Sequence, residues 1–335
     1  MIEIYKFAVS LFPVLALLAA LIFLDSFKLV PLRSVLQAIL FGALTALVCM
    51  YVNGRLFGRL GWELSTFSRY AAPLVEEGAK AIHLMYLIRS RRVGFPVDAA
   101  IFGFALGAGF SLVENIYYLQ TLDTANILVW IVRGFGTAAL HGATLVIFGI
   151  ISKVLSDRHA NARLWVFLPG FTAAVAMHSI YNHFILPPVQ STMVLLAVLP
   201  ILIVVVFDRS ERATRRWLGE GWNADVEMLE SITTGEICET RVGSYLETLH
   251  DKFPGPIVAD MLCLLRLHLE LALTAKGLLL AKEAGIKMPP DKEIKEKFAE
   301  LGYLEHHIGQ TGLWALKPFL YSSPRDLWQR HMLGS

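Results

Sequence analysis

The chain of 335 residues is 55% hydrophobic and only 17% charged, with a mean hydropathy of +0.55. Soluble domains carry about 25% charged residues, so this composition indicates a membrane protein. The formal net charge of +2 gives no reason to expect nucleic acid as a partner. Its three cysteines, Cys49, Cys238 and Cys263, are too far apart in the sequence to indicate a disulfide framework or a metal-binding motif.

Seven apolar segments come close to the length of about 20 residues that a helix needs to cross a bilayer. The first is longer than the apolar core of a signal peptide and follows no basic cluster, so it predicts a retained span. The sequence therefore predicts an all-α, polytopic bundle of about seven transmembrane helices. The segments lie approximately at 7–27, 34–53, 66–88, 97–119, 126–152, 164–186 and 190–207.

Basic residues are unevenly distributed among the connections between these segments. The connection after the third segment carries Arg89, Arg91 and Arg92, and the residues after the seventh segment are also rich in arginine. By the positive-inside rule, we expect this side of the inner cell membrane to be the cytoplasm, with the amino terminus outside. Beyond the seventh segment, apolar residues recur at helical spacing with charges between them. We therefore expect a transmembrane bundle at 1–208 and a soluble, cytoplasmic helical domain at 209–335.

The third segment, YAAPLVEEGAKAIHLMYLI, carries four ionisable residues in its middle. Each such group costs about 2.5–3.5 kcal/mol at membrane depth, so a functional role is the first hypothesis. Helical geometry places Glu76, Lys80 and His83 on one stripe, whereas Glu77 points about 100° away and reaches Lys80 at i+3. Adjacent carboxylates on a helix do not face each other, so we expect one acid to act on water and the other to be held by Lys80 or by backbone donors. Pro73, one turn earlier, is expected to open the helix near these acids.

The fourth segment combines small residues with a third acid. Gly103 and Gly107 form a small-xxx-small pattern, which allows another helix to approach closely. Glu114 follows Gly107 by seven residues and shares this stripe, with Asn115 beside it. This stripe is therefore expected to face protein rather than lipid.

The fifth and sixth segments add further polar side chains at helical spacing. Arg133 and His141 lie two i+4 steps apart in the fifth, and His178 and Asn182 share one face of the sixth. Each has a structural alternative, such as an interhelical ion pair, a packed histidine or an arginine that reaches the membrane surface. Together, acids, histidines and amides on four consecutive helices rich in Gly and Ala predict an internal cavity that contains water.

The chemistry of this set allows amide hydrolysis by water. A carboxylate beside an imidazole can act as a general base, and His and Asn side chains can donate hydrogen bonds to an oxyanion. The GxSxG and HExxH motifs are absent from the sequence. We expect neither a metal nor another cofactor, although a His–His–Glu metal site assembled from different helices remains an open alternative.

Four short motifs also resemble, in order, those of a known family. EEGAK at 76–80 resembles an EExxK motif, and GFSLVENIYY at 109–118 resembles an FxxxEN segment. Arg133 with HGAT at 141–144 resembles the third motif, and HSIYN at 178–182 resembles HxxxN. This is the pattern of the PrsW-type intramembrane glutamic proteases, within the superfamily of CAAX-prenyl and bacteriocin-processing proteases. The resemblance covers residues of about 70–185.

The resemblance implies a protease-like bundle of seven or eight membrane helices. It implies that Glu76 and Glu77 are the catalytic acids, and that His141 and His178 assist the water and the oxyanion. The CAAX branch has EExxxR and FxxxH, so Lys80 lies one position closer here and a glutamate replaces the second-motif histidine. Supporting roles are expected for the remaining polar residues of these motifs: Lys80, Glu114, Asn115, Arg133 and Asn182.

The leading function is therefore an intramembrane endopeptidase, of glutamic rather than metal type, that cleaves a membrane-anchored protein. Known PrsW-type members act on membrane-bound anti-sigma factors, so the resemblance implies a substrate of that kind. One alternative is a catalytically silent membrane scaffold or receptor of the same fold. Another is a proton-coupled transporter, because buried Glu and His also build proton relays. Transport predicts internal repeats, and the sequence shows no such symmetry.

Overall fold

The computed structural model describes residues 2–25, 30–124, 126–159, 164–286, 293–320 and 333. These residues form helices and connecting turns, with no strand among them. The contacts divide the chain into two compact units, Met1–Glu211 and Arg212–Ser335. The α-helices are α1 (Ile2–Leu24), α2 (Leu32–Leu60), α3 (Leu64–Thr66), α4 (Ala72–Arg89), α5 (Pro96–Thr121), α6 (Ile127–Ile131), α7 (Ala138–Arg158), α8 (Leu168–Asn182), α9 (Pro188–Thr234), α10 (Arg241–His250), α11 (Gly255–Glu283) and α12 (Glu293–Leu320).

Two helices begin with a turn of wider geometry. The π-helical segment Phe67–Ala71 leads without a break into α4, and the π-helical segment Val132–Thr137 leads into α7. Such turns release carbonyl groups from the regular hydrogen-bond pattern and occur frequently at functional sites. Both segments lie next to polar residues that the sequence analysis selected.

Six helices of the described part of the chain are long and apolar enough to cross a membrane. The third predicted segment, 66–88, is also helical, but it is not among these six because Glu76, Glu77 and Lys80 make it more charged than the others. The prediction of an all-helical, polytopic bundle is therefore confirmed, although residues 26 and 27 of the first predicted segment lie outside the described residues. The six candidate spans are Tyr5–Phe23, Leu32–Leu60, Pro96–Thr121, Ile127–Arg158, Leu164–Asn182 and a span within Pro188–Thr234.

The predicted end of the second span is wrong. Helix α2 continues beyond residue 53 to Leu60, so the stretch NGRLFGRL is helical rather than a connection. Gly61 ends the helix in the left-handed conformation, with a φ of 64°, which glycine adopts without strain. Arg55 and Arg59 are exposed, and long basic side chains near a helix end can reach the polar surface of the membrane.

Helix α5 forms the centre of the bundle, between α2 and α7. All its residues over Val97–Ser111 are buried. A Cβ atom at Gly103 would lie 2.5 Å from the carbonyl oxygen of Leu145, and one at Gly107 would overlap the backbone of His141. The close approach predicted from the small-xxx-small pattern is therefore confirmed, and this contact fixes the position of His141.

The unit Arg212–Ser335 has a core of its own. Apolar faces of α10, α11 and α12 pack together through residues that include Leu246, Leu264 and Leu304. The sequence predicted α11 and α12 as helices, and both are present in the part of the chain that the structure describes. The assignment of 209–335 to the cytoplasm stays a prediction.

Candidate active site

The turn before α4 is held by two side chains of α8. Pro73 has no N–H to donate to the carbonyl of Arg69, which is its partner in a regular α-helix. The carbonyl of Ser68 also lacks its usual helical partner, the N–H of Ala72. In the π-helical segment this N–H bonds instead to the carbonyl of Phe67. Ser179 Oγ donates to the Arg69 oxygen at 2.6 Å, and Asn182 Nδ2 donates to the Ser68 oxygen at 2.8 Å. The structure therefore places Asn182 beside the start of α4.

The carboxylate of Glu77 is buried and held by two donors. Its Oε1 atom accepts hydrogen bonds from Lys80 Nζ at 2.6 Å and from His178 Nδ1 at 2.7 Å. Both the Glu77 and Lys80 side chains are 0% exposed. Because Nδ1 of His178 donates a hydrogen bond to Glu77, this nitrogen carries the hydrogen, and the lone pair of a neutral ring lies on Nε2. Glu77 therefore fixes both the orientation and the tautomer of His178.

The ammonium group of Lys80 continues this network to a second histidine. Lys80 Nζ lies 3.0 Å from His141 Nδ1, and an ammonium group can only donate, so Nδ1 accepts. His141 Nε2 then donates to Glu114 Oε2 at 3.0 Å. Arg133 Nη2 lies 3.4 Å from the same oxygen. Alternating charges thus join α4, α7 and α5 around one buried centre.

Arg133 and Asn115 connect this centre to α1. Arg133 Nε donates to Asn115 Oδ1 at 3.1 Å, and Asn115 Nδ2 donates to the carbonyl of Ser10 at 2.8 Å. The guanidinium group also lies 3.6 Å from the centre of the Tyr118 ring, a favourable cation–π contact. These bonds hold Glu114 through its neighbours and fix the packing of three helices.

Glu76 differs from Glu77 in its surroundings. Its side chain is 14% exposed, and its Oε1 atom accepts a hydrogen bond from Asn53 Nδ2 at 3.0 Å. Its Oε2 atom lies 4.0 Å from His178 Nε2. That distance is too long for a direct hydrogen bond but short enough for one water to bond to both atoms. Glu76 and His178 are therefore separated by a gap that one water molecule could bridge.

His83 does not join the polar centre. Its ring stacks on Phe41 of α2, with ring centroids 4.1 Å apart. Glu76 also faces α2, through Asn53. Glu76 and His83 therefore face the same helix, as the predicted stripe requires. Lys80 instead contacts Glu77 and His141.

The amino-acid sequence matches a known protein family. The profile of the family described as "PrsW family intramembrane metalloprotease" matches residues 30–207, slightly more than half of the chain. The chain belongs to the PrsW family. All nine site residues predicted from the sequence lie within the matched region. The PrsW assignment makes the chain a multi-pass membrane protein, and it does not extend over the unit Arg212–Ser335.

A curated relative gives the same assignment. "Protease PrsW" of Clostridioides difficile (strain 630) is 26% identical over 147 residues, a match that covers 42% of this chain. The match covers 60% of that relative, so the chain spans less than two thirds of its length. No solved structure matches the chain.

The description of the PrsW family as metalloproteases implies a metal, and the site contains donor atoms of a suitable kind. Glu76, His141 and His178 each offer one ligand atom, all within 4.8 Å of one another. Two histidines and a glutamate are the protein ligands of known catalytic zinc sites, and a carboxylate on the far nitrogen, as on His178, is the usual support of a metal-bound histidine. The set therefore fits a metal by type and proximity. Binding would require His141 to release either Lys80 or Glu114, because both of its ring nitrogens already have partners.

Asn53 is the contact of this PrsW site that the sequence analysis missed. It lies at the limit of the second predicted span, and the stretch beginning with it was interpreted as a connection. The available signal was the polar side chain itself, since an amide near the end of an apolar helix needs a partner. The partner, Glu76, is 23 residues away in the sequence, and only the packing of α2 against α4 shows the pair.

Proposed function

We propose that the chain is an intramembrane endopeptidase in which Glu76 and His178 activate a water molecule to hydrolyse a peptide bond of a membrane-anchored protein. Membership of the PrsW family supports the class of reaction. The observation that carries the assignment is the 4.0 Å separation between Glu76 Oε2 and His178 Nε2. Each of these groups is held from behind, Glu76 by Asn53 and His178 by Glu77.

In this proposal Glu76 is the general base. Its free oxygen takes a proton from the water as the water oxygen attacks the peptide carbonyl carbon. His178 Nε2, which carries the lone pair, accepts the second hydrogen bond of the water and orients it. As the C–N bond breaks, Glu76 transfers this proton to the leaving nitrogen, which departs as a neutral amine, and the carboxylate is regenerated. The reaction yields one carboxyl and one amino terminus.

The other charged groups have positioning roles. Glu77 holds His178, and Lys80 neutralises Glu77 at a depth where an unpaired carboxylate is costly. Both ring nitrogens of His141 bond within the protein, so we assign His141 to fixing Lys80 and Glu114 rather than to contacting the substrate. Asn115 and Arg133 keep Glu114 in place, and the two donors from α8 fix the turn before α4.

A metal-dependent form of the same hydrolysis is the second candidate, favoured by the donor set Glu76, His141 and His178. A bound divalent ion would lower the pKa of water and polarise the peptide carbonyl. In this form Glu77 would still accept the hydrogen bond from Nδ1 of His178 and so orient the ring. Both candidate mechanisms therefore depend on the Glu77 carboxylate, which orients His178.

The substrate and the cellular arrangement are part of the proposal. A membrane-anchored protein of the anti-sigma-factor kind is suggested by the resemblance of the four motifs. We place the bundle in the inner cell membrane and the domain 209–335 in the cytoplasm, following the distribution of basic residues. That domain lies beyond the family region, and its proposed role is regulation or partner binding.

The test compares single amide variants of three glutamates in a co-reconstituted cleavage assay. Glu76→Gln and Glu77→Gln should each abolish cleavage, whereas Glu63→Gln, at an exposed position that makes no capping hydrogen bond, should be unaffected. A substrate would first be found by comparing membrane-protein fragments in cells with the parent chain and with Glu76→Gln. Unchanged cleavage by Glu76→Gln would refute the proposal. Loss of cleavage with a chelator, restored by a divalent metal, would establish the second candidate.

A further inference from the structure

Asn53 meets the site from a helix that carries none of the predicted site residues. It lies on α2, near the end that the sequence analysis placed outside the bundle. Its Nδ2 atom donates to Glu76 Oε1 at 3.0 Å. If the amide were rotated by 180°, its Oδ1 atom would lie at that distance from Glu76 Oε1. A carboxylate oxygen needs a donor, so Nδ2 is the atom that faces Glu76.

The other end of the same amide is buried without a hydrogen bond. Asn53 Oδ1 is shielded from solvent and has no hydrogen-bond partner among the described residues. A buried polar atom without a partner costs about 1–3 kcal/mol, and most native structures avoid it. Glu77 Oε2, in the same site, is also buried without a hydrogen-bond partner among the described residues. Asn53 and Glu77, which lie on either side of Glu76, therefore each have one unpartnered oxygen.

A purely structural role does not explain this arrangement. The contact between α2, α4 and α5 is already made by an apolar cluster one turn earlier, in which Ala46, Cys49 and Phe110 are buried. A polar contact that only joined helices would use both ends of the amide. Asn53 uses one end for Glu76 and leaves the other without a partner among the described residues.

A peptide substrate supplies the missing partner. A membrane-embedded segment must lose its helical hydrogen bonds around the bond to be cut, because a helical carbonyl is not accessible to water. The N–H groups released in this way lose their helical carbonyl partners, and each unsatisfied group at membrane depth costs several kcal/mol. A carbonyl-type acceptor beside the general base would satisfy one of them.

We propose that Asn53 is a further residue of the catalytic site, in which Nδ2 positions Glu76 and Oδ1 accepts a hydrogen bond from a backbone N–H of the bound substrate. This inference rests on the proposed function, since it assumes a peptide beside Glu76. It applies equally to the metal-dependent form, in which Nδ2 would hold a ligand carboxylate. The recognised chemistry is the peptide backbone, so the contact is independent of the substrate's side chains.

Two variants separate the two ends of the amide. Asn53→Asp has the same shape and keeps an acceptor but has no donor for Glu76, so kcat should fall about 10- to 100-fold with KM unchanged, as for other lost supporting hydrogen bonds. Asn53→Leu loses both ends, so KM should also rise about 3- to 10-fold, the value of one neutral hydrogen bond. Gln37→Leu is the matched control, because it replaces an exposed amide on the same helix and should change neither constant.

The outcomes distinguish this inference from the function on which it rests. Folding of each variant would be checked by its melting temperature in detergent, and if Asn53→Leu does not fold, the isosteric Asn53→Asp still decides the role of Nδ2. Parent values of kcat and KM in Asn53→Leu, with Glu76→Gln inactive, would overturn this inference alone. Equal KM values for the two Asn53 variants would overturn the substrate contact. Full activity of Glu76→Gln would overturn the proposed function itself.

Discussion

The buried ion pair between Lys80 and Glu77 leads to a quantitative prediction. Both side chains are 0% exposed, and their charged atoms lie 2.6 Å apart. Lys80→Met keeps most of the side-chain volume but removes the ammonium group, which also lies 3.0 Å from His141. Removing one partner of a buried pair leaves an uncompensated charge, so we expect the free energy of unfolding to fall by about 3–5 kcal/mol.

A double-mutant cycle in detergent micelles measures this energy. Reversible unfolding would be compared for the parent, Lys80→Met, Glu77→Gln and the double variant, which should be more stable than Lys80→Met because neither charge remains. Lys153→Met is the matched control. Lys153 is also buried and pairs with Asp157 at 2.7 Å, but Asp157 is 22% exposed and can be solvated. Its loss should cost about 0–1 kcal/mol.

Two results would refute this reasoning. Equal losses for Lys80→Met and Lys153→Met would show that burial of the remaining carboxylate does not set the cost. A double variant no more stable than Lys80→Met would show that the charge of Glu77 is not the source of the instability. In either case, the division of roles between Glu76 and Glu77 would lose its energetic basis.

Two further predictions concern the positions of the helices. Ser179→Ala removes the hydrogen bond to the carbonyl of Arg69 and should lower kcat by about 10-fold or more, because a displacement of 1 Å at a site can cost about 100-fold. In a Pro73→Ala background, which supplies the missing N–H, the loss of kcat should be smaller. An equal loss in both backgrounds would contradict the argument. Gly107→Ala should lower the free energy of unfolding by about 1–3 kcal/mol, because the added methyl overlaps the backbone of His141. Gly54→Ala, where a Cβ meets nothing within 4 Å, is the control, and a loss as large at Gly54 would contradict the packing argument.

The helical architecture followed from the sequence because bilayer length and apolar composition constrain a span so strongly. The limits of α2 did not follow. Arg55 and Arg59 look like a connection in the sequence, yet both are exposed on the last turns of the helix, where their charges can leave the apolar region. The ending at Gly61 depends on a left-handed conformation, which the glycine permits but the sequence alone does not require.

The candidate site was predictable where contacts lie within one helix. The i+3 spacing gave the pair of Glu77 and Lys80, which the structure contains. Contacts between helices depend on their rotation and depth, which the sequence does not specify. For this reason Asn53 was missed, and the amide of Asn182 was expected in the cavity although it bonds to the carbonyl of Ser68. The roles of all these residues in catalysis stay predictions.

The order in which the chain is synthesised gives the polar network a consequence for biogenesis. His178 follows its partner Glu77 by 101 residues. At about 5–20 residues per second, α4 waits roughly 5–20 s for this histidine after it leaves the ribosome. During that interval the histidine partners of Glu77 and Lys80 do not yet exist, and α4 is too polar to partition stably into lipid by itself. Stable insertion of α4 therefore has to follow the synthesis of α7 and α8, which makes the helix of Glu76 and Glu77 one of the last to settle in the bilayer.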